Sequence, residues 1–228
     1  MKYFLIIWMM SAYSVNAQQF INLNFDPVWA DKSVKLDQNY PIDVKDSIRF
    51  DQLKWYISGI TLTSNNKIVF EEENSFHLLD LSIAQSLSIS SSIPKDLLYD
   101  HIQFSIGIDS LTNVAGAIGG DLDPTNGMYW TWQSGYINVK VEGKSNICPT
   151  RKNLFTFHLG GYTSPYQSIQ KVVLAVKKGT LQHNILLNLD KFIDQVELVS
   201  THHIMSPSDS AVTLSKIFAS CFTINSEQ

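Results

Sequence analysis

The sequence contains no Walker-type phosphate loop, no dinucleotide-binding glycine fingerprint and no Gly-x-Ser-x-Gly elbow. Nucleotide-dependent chemistry and the common serine-hydrolase arrangement are therefore unsupported, and no motif marks the chain as an enzyme in its own right. Basic runs are missing too: 17 Lys and Arg stand against 21 Asp and Glu, for a net charge of −4. A phosphate backbone is tracked by clustered positive charge, so nucleic acid is a poor partner class. Cysteine is scarce. Cys148 and Cys221 could form one bridge in an exported chain, but two cysteines are no disulfide framework and the core must hold the fold.

Long apolar runs are equally rare. Tyr3 to Met10 is too short to span a bilayer. With Met1-Lys2 before it and Val15-Asn16-Ala17 after it, this run reads as a signal peptide over residues 1–17, cut before Gln18. No cysteine follows the cut to carry a lipid, and no later segment approaches the roughly 18 apolar residues of a membrane span. The expected product is a periplasmic or secreted protein with no membrane span, residues 18–228, long enough for one domain with a sizeable core.

What the sequence does have is alternation. Short segments of period two recur at Phe20–Phe25, Leu53–Thr61, Phe76–Leu81, His101–Ile108, Tyr136–Glu142, Leu154–Leu159, Lys171–Val176 and Asn184–Leu189. Turn signals such as Ser64-Asn65-Asn66, Gly119-Gly120 and Gly160-Gly161 separate them. The pattern predicts an all-β fold, an antiparallel β-sandwich with a short C-terminal helix. Ser206 is the expected N-cap of that helix, followed by Pro207 at its first position and an apolar stripe from Ala211 to Phe222. Serine-rich Ser82–Ser92 reads as a loop entering a helical turn at Lys95–Tyr99.

Chemistry-bearing residues fall in three places. His77 and His158 each occupy a short strand and take the face opposite its phenylalanines, Phe76 in one case and Phe155 and Phe157 in the other. Two strand-held imidazoles can bind a soft or borderline metal such as copper if the fold brings them together. Asp121 and Asp123, with Asn126, form an oxygen-rich turn that calcium could use, although Asp and Asn also form turns through their own side-chain bonds. Trp130 and Trp132 lie two apart on one expected strand, with Met128 nearby; Met128 and Met205 are thioether donors or core fillers.

The run GIDSLTNVAGAIGGDLDPTNGMYWTWQSGYINVKVEG, Gly107 to Gly143, resembles the signature of the MbnP-like domain, an exported copper-binding family. LKWYIS at 53–58, FHLLD at 76–80, FHLGG at 157–161 and HIMSP at 203–207 follow in the family's order, so the resemblance spans about Phe20 to Phe222. It implies a β-sandwich and a copper site built on two histidines, for which His77 and His158 sit in the expected segments. It also implies a tryptophan oxidised to kynurenine by a dihaem partner of the MauG and cytochrome c peroxidase type, with Trp130 and Trp132 in the signature and Trp55 in the early strand as the candidates. The expected function is a copper carrier or sequestering module without turnover. The alternative is a sandwich that binds a protein or surface ligand without metal.

Overall fold

Alternation becomes fifteen strands among the described residues, 18–225 of a computed structural model; the expected signal peptide lies outside them. The first half supplies β1 (Gln18–Trp29), β2 (Lys32–Ser33), β3 (Asn39–Pro41), β4 (Ser47–Ser64), β5 (Lys67–Glu71), β6 (Phe76–Asp80), β7 (Ser88–Pro94) and β8 (His101–Ile106). After the short helix α1 (Ser110–Ala115) come β9 (Tyr129–Trp130), β10 (Gly135–Ser145), β11 (Leu154–Gly160), β12 (Gln170–Ala175) and β13 (Gln182–Asn188). The chain then passes through α2 (Leu189–Ile193), β14 (His203–Ile204), α3 (Asp209–Ser220) and β15 (Phe222–Ile224).

Five strands form one sheet in the order β15-β13-β1-β2, with β7 also on β1; the other ten form a larger sheet around β4. All pairings are antiparallel except β1 with β13 and β11 with β14. β4 is long enough to serve several partners. Trp55 pairs with both Val139 and Leu79, and Ile57 with both His77 and Ile106, so β10 and β8 share one edge of β4 while β6 takes the other. Leu53, Trp55 and Ile57 face the opposing sheet and enter the main core with Leu23 and Phe25 of β1 and Phe157 and Leu159 of β11. Across the sandwich, Phe25 meets Phe104 edge-on at 5.7 Å, a favoured aromatic geometry.

Tyr56 points the other way, into a second core on the outer face of the large sheet. Ile108, Leu122, Met128, Trp130, Tyr136 and Ile137 join it, with Phe76 and Leu78 packed alongside. This cluster accounts for most of the aromatic run. Tyr136 stacks edge-on with Tyr56 and Tyr129, and its hydroxyl accepts from Ile118 N and lies 3.1 Å from Leu122 O. Asn113 Oδ1 accepts from Tyr136 N, and Asn138 Oδ1 accepts from Ile108 N. Gly107, at φ +111°, lies against Asn138 where a side chain would collide at 2.4 Å. The run Gly107–Gly143 is thus a short helix, several turns, β9 and most of β10.

Three local expectations are corrected. Ser88–Pro94 is a strand because Ile89, Ser91 and Ile93 alternate inward against β1, and serine is small enough to share that face. Lys95–Tyr99 holds one turn, closed by Leu97 N donating to Pro94 O at 3.4 Å, with Asp96 at φ +60°, a left-handed conformation that ends helical continuation. The helix cap moves two residues on: Ser208 accepts from Ala211 N at 3.1 Å and α3 begins at Asp209. Ser208→Ala should cost about 1 kcal/mol in urea unfolding. Ser206→Ala, away from the cap, should stay within about 0.5 kcal/mol. Equal midpoints for Ser208→Ala and parent would remove this cap. Cys148 and Cys221 are separate buried thiols, so the pair contributes no bridge to the fold.

Candidate functional site

The alternation on β6 and β11 holds, and it sends the two histidines to opposite faces. On β6, Phe76 and Leu78 belong to the outer core, so His77 faces the opposing sheet beside Ile57 and Leu79. On β11, Phe155, Phe157 and Leu159 belong to the main core, so His158 faces outward with Lys140 opposite it. Between them lie three strand steps, β6 to β4 to β10 to β11, about 14 Å of sheet. His77 and His158 do not converge, and the expectation of one site shared between them is corrected. Among the described residues, no group of three or more His, Cys, Asp or Glu side chains is arranged to hold a metal ion.

His77 belongs to a bridge between the sheets. Its Nε2 lies 2.8 Å from Glu72 Oε2, which also accepts from Ser75 Oγ at 2.6 Å. Glu72 Oε1 accepts from Ser91 Oγ on β7, across the sandwich. Burial alone would raise the Glu72 carboxyl, but hydrogen bonds from His77, Ser75 and Ser91 outweigh it and hold it below its ordinary range. The network therefore stabilises the fold above the usual carboxylate pKa of about 4.3, and that contribution is lost as pH falls through the lower folded value. Glu72→Gln should flatten this acid limb in thermal melts taken from neutral pH to about 3. An acid limb identical to the parent's would contradict the bridge.

His158 sits in different company. Its side chain is 8% exposed, and Nε2 lies 2.6 Å from Glu142 Oε1 on β10. Its Nδ1 is buried and has no hydrogen-bond partner. Burial holds the imidazole below its ordinary value against the raising pull of Glu142, with Lys140 and His203 adding to the lowering. His203 pairs with Thr156, two residues from His158 on β11, so the β14 register places it on the His158 side of the sheet.

Trp130 completes the neighbourhood. Its ring lies over Gly160, where any side chain would meet it at 2.6 Å, and Gly160 follows His158 by two residues on the same face. The indole Nε1 of Trp130 is likewise buried without a partner. Trp132 lies beyond the end of β9 in the turn before β10, yet its ring centroid is 5.8 Å from that of Trp130. Trp130 is 6% exposed and Trp132 65%, so one ring is covered and the other faces solvent. Two lysines seat this region. Lys54 donates to Asn126 O at 3.3 Å and Lys140 donates to Gly127 O, docking the turn before Met128 onto the sheet.

The remaining candidates have local duties. Asp121 Oδ2 accepts from Leu78 N at 2.9 Å, and Asp123 Oδ1 accepts from Thr125 N and Oγ1, capping the turn. Met128 is fully buried in the outer core, and Met205 is 42% exposed just after β14. Sequence reasoning missed Glu72 and Glu142 as histidine partners. Glu142 was within reach of it, because Lys140 and Glu142 alternate with Val139 and Val141 and so mark the outer face of β10.

The comparisons agree with this architecture. The model of the family described as MbnP matches residues 18–208. Among solved structures, MbnP from Methylosinus trichosporium is similar over 84% of this chain and 83% of that one, with a TM-score of 0.60 and 16% identity. No curated protein sequence matches. At that identity the solved structure speaks for the fold, while the family model covers β1 to β14, the outer core and His158 together. This chain belongs to the MbnP family.

Proposed function

We propose that the protein is exported and handles copper as cargo, as a carrier or sequestering module without turnover of its own, and that it meets the metal through His158. The observation that carries this reading is the buried Nδ1 of His158, which has no hydrogen-bond partner inside the fold and can turn a lone pair to a borderline metal ion. Family membership supports the metal, and the His158 face supports the place. His203 on the same face is the nearest additional imidazole in register, and the unpartnered Trp130 indole beside Gly160 is the adjacent aromatic. His77 is assigned to the bridge between sheets.

A dihaem peroxidase-type partner fits the same reading, since Trp132 is the exposed ring such an oxidant would reach and Trp130 lies in contact behind it. The test is titration of residues 18–228 with Cu(I) against a chromophoric chelator. Saturable withdrawal of one copper per chain supports the reading, and failure to compete at any protein concentration overturns it. A metal-free interaction module is the second reading, favoured by exposed Leu111, Val114 and Trp132. It would gain from that failure.

A further inference from the structure

We infer that Glu142 is the positioning residue of the His158 face: its carboxylate holds the imidazole as the Nε2–H tautomer and thereby makes Nδ1 the donor atom. The inference rests on the copper reading for its functional meaning, but its structural content stands on the ring itself. Glu142 lies on β10 opposite Thr156, one diagonal step from His158, and its Oε1 is 2.6 Å from His158 Nε2. An ionised carboxylate only accepts, so at this separation Nε2 carries a proton. Nδ1 has no acceptor inside the fold to take a second ring proton, and it is left bare.

The neighbouring ammonium groups do not take that carboxylate from the ring. Lys140, directly opposite His158, turns its ammonium to Gly127 O, and Lys54 is paired with Asp80 at 2.8 Å. The arrangement at His77 looks alike but differs in kind. Glu72 is shared among His77, Ser75 and Ser91 and ties two sheets together, whereas the described bond from Glu142 goes to His158 alone. Ligating histidines commonly give their second N–H to a carboxylate, which fixes the ring and raises its basicity; removing that outer partner costs about 10–100-fold in metal affinity.

Two readouts test the assignment, one of them made without metal. Long-range proton–nitrogen spectra of the metal-free protein should show His158 protonated on Nε2 and bare on Nδ1. Glu142→Ala should mix the tautomers and lower Cu(I) affinity by about 10–100-fold, with circular dichroism unchanged. Glu142→Gln, which keeps an acceptor oxygen, should retain the parent tautomer and recover most of the affinity. A proton on Nδ1 in the parent, or a Glu142→Ala protein with parental tautomer and affinity, overturns the Glu142 assignment. A parent that binds no copper while its spectra show the Nε2–H tautomer overturns the copper reading instead, so the two failures are distinguishable.

Discussion

His158→Ala is expected to reduce Cu(I) affinity by more than the roughly 10–100-fold that outer partners contribute, because it removes the donor itself. His77→Ala should leave copper affinity at the parental value and lower stability instead. Its imidazole is one of three groups satisfying Glu72, and stranding part of a half-buried carboxylate costs about 1 kcal/mol. The two variants thus separate the faces of the sheet. Chelator competition reads the first effect and urea unfolding the second. Copper affinity should also fall with acid, since only neutral imidazole coordinates. The His158 value lies below the ordinary histidine pKa of about 6.5, so the loss should set in below that pH. Parental affinity in His158→Ala, or copper loss confined to His77→Ala, would refute the placement.

Phe218→Ala should cost about 3–5 kcal/mol, the usual range for deleting a buried phenylalanine. Phe218 is fully buried on α3 and touches Trp55 of β4, Phe192 of α2 and Phe222 of β15, at ring separations of 6.4, 5.4 and 5.6 Å. Three elements from both sheets and a helix therefore meet on one ring. Losing it leaves a cavity that none of them can close alone, and α3 loses its hold on the core. Urea unfolding measures the loss. A change under about 1 kcal/mol would mean that α3 adds little to the sandwich.

The sandwich was legible because period-two alternation is set by the backbone itself. Tyr136–Glu142 and Leu154–Leu159 read as strands from their side chains alone and form the β10–β11 pair. Ser88–Pro94 was not legible, since its inward residues include serine and the stretch lacks contrast between faces. The site was half legible for a related reason. Alternation correctly sets each histidine opposite its phenylalanines, but it cannot say which core a phenylalanine enters. Phe76 enters the outer core and Phe157 the main core, so identical local patterns deliver His77 and His158 to opposite faces. That outcome depends on the Gly107–Gly143 region folding back over β4, a long-range event held by Tyr136, Asn113 and Asn138. Trp130 and Trp132 show the converse. They stack although the strand expected to carry both ends at Trp130.

The most direct test of the central claim is anomalous diffraction at the copper edge from copper-loaded crystals of residues 18–228. The outer-face account predicts a peak at His158 Nδ1, on the side of the sheet that carries Trp130 and His203. A peak beside His77 and Glu72, between the two sheets, would contradict it.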